Sequence, residues 1–353
     1  MPSRIGTAGN QYLAKLKRML ANDGRLTRAE AAVLIHEAET GKLSEVEAHY
    51  LAGFIDQHAD QFDDDAKKQL VDFIVSGELT RLAVLAPEKG RVRQVKQPAI
   101  TAASAKVRAV RMQNRVGKLA INGFNYNDPM QGQVGDCYLI SSMVVVAKRR
   151  PDLLKKAIVD NHDGTFTVTF QSRPVRGLPT VPVSITVDTL IAMRHGVPEY
   201  ASARNPAELW PLIIEKAYAA WKGSFDLIEA GMAANALEAL TGGDPSFFVV
   251  SKAMNPQEVF DKLDLSNQEG GCVVALSKPE DTGIDGMVAD HAYAVLGTEV
   301  RANGEKYVKL RNPWGEHEPG NGQNDGIFWL PIAQFLEAFS TVETMALGPA
   351  PVA

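Results

Sequence analysis

Three residues that could form a nucleophilic site lie far apart in this sequence: Cys137, His291 and Asn312. The chain has only two cysteines, too few for a disulfide framework or a four-cysteine zinc site. Cys137 follows a glycine-containing loop and Asp136, a residue type that favours the N-cap of a helix. An apolar run then continues to Pro151, so the pattern places Cys137 in the first turn of a helix. There the backbone N–H groups and the helix dipole favour a thiolate, which predicts a lowered thiol pKa.

The histidine and the asparagine stand at the ends of two consecutive strand patterns. His291 begins the first pattern, which runs to Val300, and Asn312 follows the second, residues 306–311. The Asn303-Gly304 pair between them indicates a tight turn, but it lies about two residues off centre. A hairpin that brings His291 opposite Asn312 therefore needs a bulge or a longer loop. Cys, then His, then Asn, with the last two on adjacent strands, is the order of a papain-type triad.

The segments around these residues resemble the calpain family of cysteine proteases, over about residues 120 to 340. The resemblance implies an α+β, papain-like core of two subdomains that hydrolyses peptide bonds. It also implies Cys137 as nucleophile, His291 as its base and Asn312 as the residue that orients the histidine. The matching motifs are Gln131-Gly-x-x-Gly-Asp-Cys137, His291-Ala-Tyr, Arg311-Asn-Pro-Trp-Gly315, Leu209-Trp210 with Glu215-Lys-Ala-Tyr218, Leu240-Thr-Gly-Gly243 and Asp325-Gly-Ile-Phe-Trp329.

Two further roles come from the same resemblance. Gln131 matches the glutamine whose side-chain amide, with the Cys137 backbone N–H, stabilises the oxyanion of the tetrahedral intermediate. Trp314 matches the tryptophan that covers the histidine–asparagine hydrogen bond. The chain departs from the family pattern at Tyr138, where tryptophan is usual, and at Asp290, where glycine is usual. A carboxylate next to His291 is expected to raise the pKa of the imidazole.

The family also binds calcium in each subdomain. For the first site the resemblance assigns the Asp128 carboxylate, the backbone carbonyls of Ile121 and Gly123, and a second carboxylate at Glu208. These are the hard oxygen ligands that calcium prefers.

The second calcium site is weaker in this sequence. Glu318 and Asp325 match two ligand positions, but the loop that carries them is shorter than in the family. Ile327 stands where an acidic residue is usual, and Tyr126 stands where an arginine pairs with that acid. The chemistry itself requires no cofactor, and the sequence leaves calcium dependence undecided.

Four segments are predicted along the chain. Residues 1–86 carry repeated turn and capping patterns typical of a small helical module. Residues 87–118 contain nine Lys or Arg and one acid, which is typical of a basic linker or arm. Residues 119–230 are predicted to form the subdomain with the nucleophile, and 231–353 the subdomain with His291 and Asn312.

Composition narrows the class of protein. The chain has 353 residues, 45% of them apolar and 22% charged, and a net charge of −5. These values are typical of a globular protein and give no reason to expect a nucleic-acid or membrane partner. Neither a secretory leader nor an apolar run of membrane-spanning length is present, which predicts a cytoplasmic protein. The expected partners are protein or peptide substrates, and any partner of the helical module is unknown.

Two other functions use the same residues. A thiol acyltransferase of the transglutaminase type shares the nucleophile and the histidine but usually has aspartate as its third residue, whereas this chain has Asn312. A catalytically silent binding protein would keep the fold and lose a chemical residue, whereas Gln131, Cys137, His291 and Asn312 are all present. Both patterns favour the protease.

Overall fold

The computed structural model describes residues 26–27, 31–32, 63, 65–66, 70, 111–173, 180–268, 270–319 and 323–347. The chain divides into two compact units, residues 1–88 with 172–183, and residues 89–171 with 184–353. In the first unit, Leu26, Ala31, Ala66 and Leu70 are fully buried. The greater part of the predicted helical module lies outside the described residues.

The described residues form six helices and fourteen strands. The helices are α1 (Cys137–Arg149), α2 (Pro151–Ala157), α3 (Trp210–Lys222), α4 (Ala233–Thr241), α5 (Pro256–Gln268) and α6 (Ile332–Ala338). The strands are β1 (Arg111–Asn114), β2 (Pro129–Met130), β3 (Ile158–Asp160), β4 (Thr165–Ser172), β5 (Val181–Asp188), β6 (Leu190–Arg194), β7 (Val197–Pro198), β8 (Ser202–Ala203), β9 (Pro245–Val249), β10 (Cys272–Ser277), β11 (Ala292–Val300), β12 (Lys306–Arg311), β13 (Ile327–Pro331) and β14 (Phe339–Met345). No helix among them is both long enough and apolar enough to cross a membrane.

A six-stranded sheet carries the histidine and the asparagine. Its order is β13-β12-β11-β10-β14-β9, and the paired neighbours are antiparallel. Apolar side chains of the sheet pack with those of α5 and α6 in one core, in which Val259, Phe335 and Phe339 are completely or almost completely buried. The register of β11 against β12 shifts between Val295 and Gly297, which is the bulge predicted from the off-centre turn.

Helix α1 carries the nucleophile and is the central helix of the second unit. All residues from Tyr138 to Ala147 are buried, whereas the sequence predicted a single buried stripe. The helix packs against β10, β11 and α4, so protein surrounds it on every side. A buried helix of this kind fixes the position of its first residue, Cys137, relative to the sheet.

Three smaller sheets complete the described residues, in the orders β1-β6-β7, β2-β8 and β3-β4-β5. Strand β1 lies within residues 87–118, the predicted linker, and pairs with β6 along its whole length. The backbones of Lys118 and Glu208 also form an isolated parallel β-bridge. Residues 111–114 of that segment therefore form a strand, and each of them has a partner residue in β6.

Candidate active site

Cys137 is the first residue of α1, as predicted, and its side chain is partly buried. The backbone N–H of Ala292 donates a hydrogen bond to Cys137 Sγ at 3.4 Å. Burial raises the pKa of the thiol to about 11, with the Asp136 and Asp290 carboxylates acting in the same direction. The lowered thiol pKa predicted from the helix start is therefore wrong, because removal from water outweighs the helix terminus.

His291 immediately precedes the residue whose N–H contacts the sulfur. Its Nε2 lies 3.0 Å from Asn312 Oδ1. Asn312 Nδ2 donates to the backbone oxygen of His317 at 2.8 Å, which fixes the amide with its oxygen toward the ring. Because an amide oxygen only accepts hydrogen bonds, Nε2 carries the ring proton and Nδ1 keeps a free lone pair. The free lone pair is the one a general base needs.

The imidazole and the amide are shielded from water. His291 is 6% exposed and Asn312 is fully buried. The Trp314 ring centroid lies 4.8 Å from that of the imidazole, and the Trp314 backbone N–H donates to Asn312 Oδ1 at 3.1 Å. Burial lowers the pKa of His291 to about 4, although the Asn312 hydrogen bond and Asp290 act in the opposite direction. The predicted increase from Asp290 is present but smaller than the effect of burial, so the imidazole is neutral at neutral pH.

Asp290 has a left-handed backbone, with φ at 51°. Glycine adopts this region without cost, and aspartate is among the few side chains that tolerate it. This backbone conformation explains why glycine is usual at the position and why aspartate can replace it.

Gln131 lies in the loop that leads to the nucleophile. Its backbone N–H donates to the oxygen of Pro313 at 2.9 Å, and its Nε2 donates to the oxygen of Val134 at 2.7 Å. Its Oε1 is buried and has no hydrogen-bond partner among the described residues. The amide nitrogen has two hydrogens, and the oxyanion role predicted for Gln131 needs the second one.

A pair of buried carboxyl groups next to the nucleophile was not predicted. Asp136 holds the N-cap position of α1, but its side chain makes no capping hydrogen bond and is completely buried. It lies close to Glu215 on α3, whose oxygens accept from the Ala201 N–H at 2.9 and 3.0 Å. Burial raises the pKa of Asp136 to about 7 and holds that of Glu215 well above its usual range. Two buried carboxyl groups this close retain a proton.

Ser141, one helical turn after the nucleophile, was also missed. Its Oγ donates to the backbone oxygen of Ala292 at 3.0 Å, and both residues are buried. Because the Ala292 N–H contacts Cys137 Sγ, the two hydrogen bonds hold α1 against the start of β11. Two serines, Ser141 and Ser142, interrupt the apolar run, and Ser141 lies four residues after the cysteine, which is the sequence signal that could have indicated this contact.

The structure brings together the two carboxylates of the predicted first calcium site. Asp128 Oδ2 accepts hydrogen bonds from the Asn125 N–H at 3.0 Å and the Trp210 Nε1–H at 3.1 Å. Glu208 is 4% exposed and accepts from the Ile121 N–H. Burial raises the pKa of Glu208, and the nearby Asp128 charge raises it further. A buried carboxylate beside a second negative charge is an environment that a cation would stabilise, so these residues fit calcium.

The residues predicted for the second calcium site are used differently. The two Glu318 oxygens accept from the N–H groups of Asp325 and Gly326, both at 3.0 Å. Asp325 Oδ1 accepts from the Ile327 N–H at 2.9 Å. Both carboxylates therefore stabilise the loop that carries them through hydrogen bonds to its backbone N–H groups. Among the described residues, no cluster of three or more His, Cys, Asp or Glu side chains could hold a metal ion.

This geometry defines a class of site. A partly buried thiol stands at the start of a central helix, next to a sheet that holds a neutral imidazole hydrogen-bonded to a buried amide. A thiol, an imidazole and an orienting amide are the components of a thiol-nucleophile site. This is the type of site that papain-like thiol enzymes have.

Comparisons with known proteins agree with that class. The family model described as "Calpain family cysteine protease" matches residues 94–320, more than half of the chain. The chain is 26% identical over 265 residues to the human calpain-2 catalytic subunit, covering 65% of this chain and 37% of that protein. It is 25% identical over 276 residues to the Caenorhabditis elegans calpain clp-1, covering 67% of this chain and 34% of that protein. It is 27% identical over 265 residues to the Arabidopsis thaliana calpain-type cysteine protease DEK1, covering 64% of this chain and 12% of that protein.

The chain therefore belongs to the calpain family of cysteine proteases, whose catalytic domain has a papain-like α+β fold. It spans about a third of the length of the animal relatives named above, and less of the plant relative.

Proposed function

We propose that this chain is a cysteine endopeptidase that cleaves protein substrates through Cys137, His291 and Asn312. The observation that carries the proposal is the hydrogen bond between His291 Nε2 and Asn312 Oδ1 at 3.0 Å. The N–H of Ala292, the residue after His291, donates to Cys137 Sγ at 3.4 Å. It supports a site in which the base and its orienting amide are already assembled beside the nucleophile.

In the first half of the reaction, His291 Nδ1 accepts the proton of the Cys137 thiol while the sulfur attacks the carbonyl carbon of the scissile peptide. The S–C bond forms and the carbonyl π electrons move to oxygen. The second Nε2 hydrogen of Gln131 and the Cys137 backbone N–H are the proposed donors to that oxyanion, and losing such a donor costs about 3 kcal/mol. The oxyanion then collapses, the C–N bond breaks, and the imidazolium gives its proton to the leaving amine.

In the second half, water replaces the amine. His291 Nδ1 takes a proton from the water as its oxygen attacks the thioester carbon, and the acid product leaves as the sulfur recovers the proton. Asn312 keeps Nε2 protonated throughout, so Nδ1 is the ring nitrogen that accepts and donates the proton in both halves of the reaction. Burial raises the pKa of the Cys137 thiol and lowers that of the His291 imidazole, and both shifts favour a neutral resting pair. A proton transfer that accompanies the attack is therefore part of the proposal.

Replacement of the nucleophile tests the proposal. We expect Cys137→Ala to abolish casein cleavage while leaving the circular dichroism spectrum and the unfolding midpoint close to wild type, because a single sulfur is removed at a partly buried position. A peptidyl epoxide should add its mass to the wild-type chain and not to the variant. Cys272→Ala, which removes the other thiol, is the matched control and should keep both activity and labelling. Undiminished hydrolysis by Cys137→Ala would contradict the proposal.

The two alternative functions have distinct outcomes in the same assays. A thiol acyltransferase would incorporate a labelled amine into acceptor proteins and release no peptides. A silent binding protein would neither cleave casein nor react with the epoxide. Asn312 as the orienting residue and the complete set of chemical side chains both favour hydrolysis.

The proposal includes one calcium site and a reducing compartment. Asp128 and Glu208 would hold the ion, whose part is to draw the subdomains together rather than to react with substrate.

Both cysteines are unpaired, and a thiol nucleophile must stay reduced, which supports the cytoplasmic location expected from the sequence.

Removal of calcium tests the metal part of the proposal. Because only the first site has convergent carboxylates, we expect a chelator to lower the rate of casein cleavage partially. The Glu208→Gln variant should lose that response, and Glu318→Gln should retain it. Complete loss of activity in chelator, restored in full by calcium, would show that the second site also binds.

A further inference from the structure

Two stretches of chain far apart in sequence flank the proposed site. The first, residues 127–131, leads toward Cys137 and is called the nucleophile segment. The second, residues 311–315, contains Asn312 and is called the amide segment. They meet where the Gln131 N–H donates to the oxygen of Pro313 at 2.9 Å. Their relative position sets where the orienting amide lies with respect to the thiol.

Arg204 is fixed by its backbone to the nucleophile segment. Strand β8, which precedes it, pairs with β2, so that Ala203 lies opposite Pro129. The Arg204 N–H also donates to the oxygen of Asp128 at 2.8 Å. Its Nε donates to the oxygen of Asn127 at 3.3 Å, which orients the guanidinium.

The Arg204 side chain reaches across to the amide segment. Its Nη2 donates to the backbone oxygen of Gly315 at 2.7 Å and to that of Asp325 at 3.1 Å. A Cβ at position 315 would come within 3.0 Å of the same Nη2, and φ there is 72°. Glycine at this position therefore allows the close approach of the arginine as well as the left-handed turn.

A second arginine makes the same connection from the other side. Arg311, in the amide segment, is fully buried and donates to the oxygens of Asn127 and Pro129 at 3.1 and 2.8 Å. Burial, and after it the nearby Arg204 charge, lower the pKa of Arg311 to about 9. Two like charges held this close are unfavourable. Both donate to one shared backbone oxygen, that of Asn127, which indicates a geometric requirement rather than a gain in stability.

The contact at Gly315 leads directly to the proposed catalytic amide. The Gly315 N–H donates to the backbone oxygen of Asn312 at 3.0 Å, and Asn312 Oδ1 orients the imidazole of His291. The series Arg204, Gly315, Asn312, His291 is continuous through hydrogen-bonded or covalently linked groups.

We propose that Arg204 is a positioning residue for the reaction proposed above: it fixes the amide segment against the nucleophile segment and so sets the orientation of Asn312 and His291 relative to Cys137. The inference rests on the proposed protease function. Arg204 is exposed, and its side chain is engaged only through the guanidinium, so replacing the side chain should leave global stability almost unchanged. Its effect should appear in the chemical step.

The test compares Arg204→Ala and Arg204→Lys with Arg115→Ala. Arg115 also donates an Nη2 hydrogen bond to a backbone oxygen, that of Pro206 at 2.6 Å, but it makes no such contact with the amide segment. On a fluorogenic peptide we expect Arg204→Ala to lose about tenfold or more in kcat with KM within about twofold, as for a misplaced catalytic group. Arg204→Lys should be intermediate, added guanidinium ion should partly restore Arg204→Ala, and Arg115→Ala should match wild type. Wild-type kcat in Arg204→Ala, or an equal loss in Arg115→Ala, would overturn the inference.

Hydrogen–deuterium exchange separates this inference from the proposed function. We expect peptides that cover residues 312–317 to exchange faster in Arg204→Ala and unchanged in Arg115→Ala, with α1 unaffected in both. If the wild-type chain neither cleaves peptide nor reacts with the epoxide, the protease proposal fails, and the exchange data alone decide whether Arg204 fixes the amide segment. Unchanged exchange at 312–317 in Arg204→Ala would overturn the inference in either case.

Discussion

At the scale of single residues, the chemistry of the site depends on how His291 is held. Its backbone N–H donates to Ser277 Oγ at 2.9 Å, and its Nε2 bonds to Asn312. Its neighbour Asp290 carries a carboxylate charge that raises the pKa of both the imidazole and the thiol. This negative charge at position 290 therefore moves to higher pH the range in which thiol and imidazole are both neutral.

The Asp290→Asn variant tests the charge alone, because it removes the carboxylate and keeps the backbone conformation. Asparagine tolerates the left-handed φ as aspartate does, so we expect an unchanged unfolding midpoint. Loss of the negative charge should lower the pKa of His291 and that of Cys137. The acid limb of kcat/KM against pH should therefore move to lower pH, and so should the pH dependence of thiol alkylation by iodoacetamide. A shift of either profile to higher pH would contradict this account of Asp290.

At the scale of elements, the decisive contact is that of α1 with the start of β11. The helix supplies Cys137 and Ser141 on one face, one turn apart, and the strand supplies both backbone groups of Ala292. Burial on every side keeps α1 from rotating, so the depth of the thiol follows from packing. The direction in which the thiol faces follows from these two hydrogen bonds.

Ser141→Ala tests that contact. The substitution leaves the oxygen of Ala292 buried without its side-chain donor, which typically costs about 1–3 kcal/mol of unfolding free energy. We expect denaturant unfolding to show that loss, together with a lower kcat. Ser142→Ala is the matched control, because its Oγ donates to the oxygen of Tyr138 within the same helix at 2.7 Å and to that of Ala233 on α4 at 3.4 Å, neither of which lies on β11. An equal loss of stability in the two variants would rule out a special role for Ser141.

At the scale of the whole molecule, buried carboxyl groups make the stability of the second unit depend on pH. Asp136 and Glu215 form one buried pair, and Glu343, whose pKa burial raises to about 7, accepts from the Ala234 N–H elsewhere in the core. A folded pKa of about 7 against an unfolded value of 3.8 means that the folded chain binds more protons between these values. The stability from Asp136 is therefore fully present at low pH and lost as pH rises through about 7.

Asp136→Asn should reduce this dependence. We expect the variant to gain unfolding free energy relative to wild type as pH rises from about 5 to about 8, because a neutral side chain needs no proton to remain buried beside Glu215. Some dependence will remain through Glu343. Glu215→Gln should act in the same direction, and the double variant should be non-additive because the two groups share one interaction. A difference between variant and wild type that does not vary with pH would show that the pair holds no extra proton.

Local sequence patterns were sufficient for several elements and for the pairing of the site residues. Strand β12, the N-terminal position of Cys137 and the bulge between β11 and β12 all follow from alternation, turn dipeptides and capping preferences. In the structure a hydrogen bond joins His291 and Asn312, the two residues that the strand patterns placed opposite each other. These features depend on neighbours within a few residues or on two strands joined by one turn, which a linear sequence records.

The pKa values and the positioning groups were decided by tertiary structure alone. The helix start predicted a lowered pKa for Cys137, and burial among distant segments reversed the direction. Asp136 has the residue type of an N-cap, yet it meets Glu215 on another helix, and Arg204 reaches loops more than 100 residues away. Desolvation and long-range hydrogen bonds depend on which segments pack together, and no local pattern carries that information. The sequence by itself determined which atoms could react, and the tertiary structure determined their protonation and their orientation.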